Sequence, residues 1–279
     1  MWQALFIMFV AMSMIPAGDA AGKLLTSVHE ASPFYVAWSR FAIGTLVALP
    51  FVRADTLRLL TDWRIWLRAL LLTGGITFIQ IALTTTPLAD TFAAFFIGPI
   101  VSYALSALLL GEKITPARSL LMGLGFVGVL LVVRPGLDMS TGLMFALLAG
   151  TCYGAFLTSS RWLSSVGRPG SLLFTQLFLS FVILSPFCWN SAPPMNATIL
   201  GLTTLSALFS MGGNFLLLFA YARAPASALA PYVYFQLIAA VALGWNIFGD
   251  LPDTLTIAGL ILIVGAGIAS ASLAKRRRP

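Results

Sequence analysis

The chain has 279 residues; 59% are hydrophobic, only 9% are charged, and the net charge is +7. Soluble proteins carry about a quarter charged residues, and no soluble fold of this length could bury so much apolar surface, so the composition excludes one. The positive charge does not signal nucleic acid. The basic residues sit in short loops and in the tail Lys275-Arg276-Arg277-Arg278, where they act as topology determinants and lipid-headgroup contacts.

Apolar runs of about 20 residues predict membrane-spanning helices rather than barrel strands. Ten spans are expected, at roughly 3–22, 34–52, 65–85, 89–110, 117–133, 142–160, 171–189, 199–221, 226–247 and 254–273. The first segment resembles a secretory signal only superficially. It has no basic start, and Asp19 stands where small neutral residues should precede cleavage. The loops are short and carry turn residues: Ser32-Pro33, Thr86-Pro87, Thr115-Pro116, Arg134-Pro135-Gly136, Arg168-Pro169-Gly170, Ala192-Pro193-Pro194 and Ala224-Pro225. Cys152 and Cys188 fall within apolar spans and read as buried free thiols. His29 is the only histidine, so no histidine metal cluster can form within one chain; neither metal nor cofactor is expected.

Placing the N-terminus inside puts Arg53, Arg58, Arg64, Arg68, Lys113, Arg118, Arg161, Arg168, Arg223 and the four basic tail residues on the inner side. Only Lys23 and Arg134 are then outside, with Arg40 within a span. This asymmetry predicts that both termini face the cytoplasm.

The second half repeats the first. Gly75 and Gly213, Ala82 and Ala220, Pro87 and Pro225, Gly111 and Gly249, and Glu112 and Asp250 are each 138 residues apart. Two units are expected, residues 1–138 and 139–279. Each holds five spans, an odd number, so the second must enter the membrane from the opposite side. The charges agree: Lys23, outside, corresponds to Arg161, inside. Inverted repeats are an architecture of secondary transporters, because two related halves of opposite orientation give inward-open and outward-open states of similar energy.

The run Leu109-Leu110-Gly111-Glu112-Lys113-Ile114-Thr115, followed by Gly123, Gly125, Gly128 and Arg134-Pro135-Gly136, resembles the end of an EamA-type repeat of the drug/metabolite transporters. So does Leu243-Gly244-Trp245-Asn246-Ile247-Phe248-Gly249-Asp250-Leu251-Pro252-Asp253 with Gly259 and Gly265. One departure is the milder acid Asp250 where the first copy has Glu112. The resemblance covers essentially the whole chain and is nearest to ten-span bacterial amino-acid exporters, including the YddG type that exports aromatic amino acids and methionine. It implies an all-α, basket-like bundle around a central cavity walled by spans 1, 3, 4, 6, 8 and 9, with spans 5 and 10 as scaffold, in the bacterial inner membrane.

Polar groups within spans usually face the bundle interior or water. Asp19 and Lys23, four residues apart, share a helix face and are expected to pair, either as a charge site for a zwitterion or as an internal ion pair. Pro16 and Gly18 beside them are expected to loosen the helix. Asp90 opens span 4, as a coupling acid or as a helix N-terminal acid. Arg40 is expected to orient span 2 or pair with an acid. Phe92, Phe96, Pro99 and Tyr103 form one helical stripe on span 4, as a cargo wall or as helix packing. Tyr232 and Gln236 on span 9 are expected at the cavity, and Gln80 and Asn214, on the related spans 3 and 8, are expected to share it or each to hydrogen-bond a neighbouring helix. Pro87 and Pro225 mark paired turns where a hinge would sit. The glycines of spans 5 and 10 serve close packing, or a homodimer seam if the protein is not a monomer.

The expected function is export of small amphipathic metabolites, first amino acids (aromatic, Met, Thr), by alternating access. A drug or other metabolite carrier is the alternative, and a lipid flippase a further one. The expected partners are a small-molecule substrate and membrane lipid, not nucleic acid. An intramembrane enzyme would need an acid/base or metal constellation that one loop histidine and scattered acids do not supply.

Overall fold

The computed structural model describes residues 2–111, 116–134, 140–163, 165–188, 191–223 and 232–276. Glu112, Lys113, Ile114, Thr115, Pro135, Gly136, Ala224, Pro225, Arg277 and Arg278, named above, lie outside the described residues. All regular structure among the described residues is helical. In chain order the helices are α1 Trp2–Ser27, α2 Pro33–Ala48, α3 Ala54–Leu59, α4 Trp63–Leu83, α5 Leu88–Phe95, α6 Ile97–Leu110, α7 Pro116–Val133, α8 Thr141–Trp162, α9 Pro169–Cys188, α10 Ala197–Arg223, α11 Phe235–Leu243 and α12 Thr254–Arg276. A π-helical turn, Gly244–Phe248, continues α11. Spans 1–3 are thus α1, α2 and α4; span 4 is α5 with α6; spans 5–8 are α7 to α10; span 9 is α11 with its π turn; span 10 is α12. The described helices include six long and apolar enough to cross a membrane. The short α3 was not expected; it lies against α9, where Thr56 Oγ1 meets Ser171 Oγ at 3.2 Å.

Local chemistry sets the helix ends. Ser32, Asp62, Ser140 and Asp253 each accept a backbone N–H in the first turn of the helix that follows them, satisfying donors a helix start otherwise leaves open. Gly111 and Gly249 both close their helices in the left-handed region, at φ 66° and 73°, a conformation glycine adopts without a Cβ penalty.

The packing repeats as the chain does. α1 lies on α10 as α4 lies on α8, α2 on α10 as α9 on α4, and α6 on α8 as α11 on α1; α2 meets α9, and α7 meets α12. Each of these contacts maps onto another, or onto itself, when span n is exchanged with span n+5. The register is the one seen in the sequence. A Cβ added to Gly75 would stand 3.5 Å from both the Ala149 carbonyl and the Tyr153 nitrogen; one added to Gly213 would stand 2.9 Å from the Ala11 carbonyl and 3.2 Å from the Ile15 nitrogen. These pairings are equivalent under the 138-residue offset. The fold is all-α, with two five-span repeats.

Span 4 departs from expectation. It breaks at Phe96 (φ −67°, ψ 2°), so α5 and α6 are separate helices. Pro99 has no N–H to offer the Phe95 carbonyl. The Phe96 N–H is shared between the carbonyls of Phe92 at 3.1 Å and Ala93 at 3.3 Å. The broken backbone packs closely on α8: a Cβ on Gly150 would come 2.4 Å from the Phe95 carbonyl. Span 9 is interrupted at the equivalent position, Tyr234 (φ −68°, ψ −11°), a turn between helical residues 232–233 and α11.

Candidate functional site

Phe96 and Tyr234, 138 residues apart, touch. Their ring centroids are 5.3 Å apart at 40°. Only groups near a two-fold axis can contact their own repeat counterpart, so this pair marks the axis relating the halves. Beside it lies an open pocket of about 320 Å³ formed by spans 9 and 10 alone and lined by Tyr232, Tyr234, Phe235, Ile238, Val264 and Ile268, of which Tyr232, Ile238 and Ile268 are exposed. A narrower cleft joins Phe96 and Pro99 to Tyr234 and to Gly267 of α12. A Cβ on Gly267 would fall within 2.2 Å of three Tyr234 ring and hydroxyl atoms, so the absence of a side chain there lets the ring lie on α12. Tyr232, expected at a central cavity, is among the residues lining this pocket. Span 10, expected only as scaffold, also lines it, through Val264 and Ile268.

The single stripe on span 4 is divided by the break. Phe92 is in the core, 6.4 Å from the Phe95 ring. Tyr103 turns toward α7, its hydroxyl 3.3 Å from Ser119 Oγ. Gln236 is buried on α11 but is not among the cavity-lining residues. Gln80 and Asn214 do not share a site. Asn214 is exposed, and its amide donates to the Ser210 carbonyl of its own helix at 2.7 Å.

Gln80 belongs instead to a buried network centred on Asp19. Asp19 Oδ1 accepts from Arg40 Nη1 at 2.6 Å and from Gln80 Nε2 at 2.8 Å. Arg40 also donates to the Gly18 carbonyl at 2.7 Å and to Ser206 Oγ at 2.9 Å, and Ser206 donates to the same carbonyl. Asp19 is 4% exposed, Arg40 6% and Gln80 0%, so the charges are balanced where water does not reach. Gly22 makes room, since a Cβ there would stand 2.4 Å from Gln80 Oε1. That oxygen has no hydrogen-bond partner among the described residues. Pro16 and Gly18 do not unwind α1, which is continuous across both.

Asp19 and Lys23 therefore do not pair with each other; spacing puts them on one face, but each has a nearer partner on another helix. Lys23 Nζ lies 3.0 Å from the Thr86 carbonyl, 3.2 Å from Asp250 Oδ2 and 4.7 Å from the centroid of the Phe248 ring. Arg134 bonds Asp253 nearby. Asp90, in the first turn of α5, faces Arg134, Asp250, Asp253 and Thr256; its Oδ1 is buried without a hydrogen-bond partner among the described residues. Outside the spans, the Arg134 guanidinium, followed by the Thr256 N–H, holds the Asp253 carboxyl down to about 2.

Sequence reasoning missed Tyr234 as the partner of Phe96, and Asp250, Ser206 and the Thr86 carbonyl as partners of the charged groups. The offset makes positions 96 and 234 counterparts but does not say that they touch. The others depend on which helices meet. The described residues hold no group of three acidic, histidine or cysteine side chains placed to bind a metal.

The EamA-like transporter family matches this chain twice, over residues 2–134 and 140–271. An S-adenosylmethionine uptake transporter of Rickettsia bellii is 29% identical over 257 residues, covering 90% of this chain and 87% of its own. A riboflavin transporter of Brucella anthropi is 26% identical, covering 84% and 86%. A pseudopaline exporter of Pseudomonas aeruginosa is 29% identical over 67% of both chains. A solved crystal structure matches 99% of both chains with a TM-score of 0.62 at 18% identity, a likeness of fold alone.

Proposed function

The chain belongs to the EamA-like transporter family, and we propose that this membrane transporter is a secondary carrier exporting a small amphipathic metabolite, an amino acid with an aromatic or thioether side chain first. The observation that carries this is the Phe96–Tyr234 ring pair, set at two helix breaks on the repeat axis beside a cavity lined by tyrosines and aliphatic side chains. Discontinuous helices at a repeat interface are where carriers bind cargo. Rings and a few hydroxyls suit a molecule with one flat or sulfur-bearing end and one polar end. Phe96, Tyr232, Tyr234 and Phe235 are its contacts. The Asp19–Arg40–Gln80 network fixes α1, α2, α4 and α10 around it.

The protein works as a monomer in the bacterial inner membrane, with both termini cytoplasmic and the repeats running 1–138 and 139–279; support comes from the distribution of Lys and Arg and from the 138-residue register. The cargo's own gradient drives it, so net direction follows concentration. A second reading, a larger ring-bearing metabolite, is favoured by the relatives named for S-adenosylmethionine and riboflavin.

Counterflow in proteoliposomes tests both. Vesicles preloaded with unlabelled phenylalanine, methionine, threonine, S-adenosylmethionine or riboflavin are offered the same compound labelled. Accumulation of a labelled amino acid without a pH gradient supports the first reading, and accumulation of only the last two the second. Folded protein that moves none of the five contradicts both.

A further inference from the structure

We infer that Lys23 and Asp250 form a breakable lock that shuts one end of the carrier in the state described here. The inference rests on the carrier reading above and adds to it the residues that hold one entrance closed. The pair joins the two repeats: Lys23 ends span 1, and Asp250 follows span 9. The Lys23 ammonium, on a residue only 8% exposed, is gripped from three directions, by the Thr86 carbonyl, the Asp250 carboxylate and the Phe248 ring face. Those three groups come from the α4–α5 turn, and from the π turn ending span 9 with the connection that follows it. One side chain therefore ties together three segments that must separate if this end is to open. The Asp250 side chain is 34% exposed, so the pair lies at a rim that water reaches, where an ion pair can break without stranding a charge in hydrocarbon.

The winding of the helix ends is a second sign. The turn before Gly249 is π-helical, Gly244–Phe248; its repeat counterpart before Gly111, the end of α6, is α-helical. Both are closed by a left-handed glycine, so the same structural unit is wound in two ways in one molecule. π turns are rare and concentrate at functional positions. This one brings both Phe248 and Asp250 to Lys23. Inverted repeats that exchange conformations during transport are expected to differ in this way at any instant. The sequence keeps the charge types at the mirrored places: the 138-residue offset carries Lys23 to Arg161 and Asp250 to Glu112. A cation and an acid thus recur at the corresponding sequence positions of the two repeats.

The test reads distance, not transport, so it stands whether or not the cargo is an amino acid. Spin labels are placed on Val28 and Leu251, both exposed and flanking the lock, in a Cys152→Ala/Cys188→Ala background in lipid nanodiscs without substrate. Pulsed dipolar spectroscopy then gives the distance distribution. Lys23→Gln and Asp250→Asn should each raise the ratio of long to short distances by about tenfold, the population shift produced by losing one favourable interaction between two close-lying states. Lys23→Asp combined with Asp250→Lys should return the distribution toward the starting one. The inference is overturned if both single variants elute and melt like the parent and keep its distribution. It is also overturned if the singles shift and the charge swap shifts as far.

Discussion

Asp19 and Arg40 show what a membrane interior demands of charge. Neither group can remain alone at 4% and 6% exposure, and removing one partner of a buried pair costs about 3–5 kcal/mol because the other charge is stranded. Arg40→Leu is therefore expected to lower the unfolding midpoint in nanodiscs more than the double variant Asp19→Leu/Arg40→Leu. A double variant less stable than either single would contradict this. At the rim, Asp253 behaves differently. Its carboxyl titrates below the ordinary value of about 3.9, so its pair with Arg134 contributes fully above that value and is lost as the pH falls through about 2. Both side chains are partly exposed, so the contribution is small and weakened by salt. Melting followed from pH 5 to 2 should show a shallower decline in Asp253→Asn than in the parent; identical slopes would refute the assignment. That Arg40 would orient its span or meet an acid was legible from its position in an apolar stretch. Which acid it would meet was not, because a four-residue spacing says that Asp19 and Lys23 share a face and nothing about the helices opposite.

The helices themselves were largely written in hydropathy. Among the described residues, eight of the ten spans run unbroken in essentially the expected places, since a run of apolar residues in lipid must close its own backbone hydrogen bonds and a helix does so locally. The break in span 4 was hidden by its own pattern: Phe92, Phe96, Pro99 and Tyr103 fit one helical stripe, and the stripe concealed that Pro99 removes the donor the Phe95 carbonyl needs. Helix-to-helix approach can be tested at two glycines of α10. Gly213 faces the α1 backbone, whereas nothing lies within 4 Å of a Cβ at Gly201. Gly213→Ala should destabilise by about 1–3 kcal/mol, as overpacking does. Gly201→Ala should be neutral or gain up to about 1 kcal/mol from helix propensity. Equal melting of the two variants would show that α1 and α10 are not in close contact.

Two halves of opposite orientation, each an imperfect copy of the other, give the protein its shape and, on the carrier reading, its means of transport. The register of 138 residues was legible because glycines at close approaches and turns resist replacement; the same register now relates Gly75 to Gly213, Gly111 to Gly249 and Phe96 to Tyr234 in space. It did not reveal that the last two would touch, because the sequence carries the repeat but not the position of its axis. The lining of the cavity was legible only in part, since span 10 enters it through aliphatic side chains indistinguishable in sequence from lipid-facing ones. The most direct test of the ring pair as the place where cargo meets carrier is a double-mutant cycle in counterflow, using whichever of the five compounds accumulates. Phe96→Ala and Tyr234→Ala should each lower kcat/KM by about tenfold, equivalent to about 1.4 kcal/mol. The double variant should lose little more than either single, because the rings act as one unit. Folded single variants that both carry every compound at the parent rate would contradict the account.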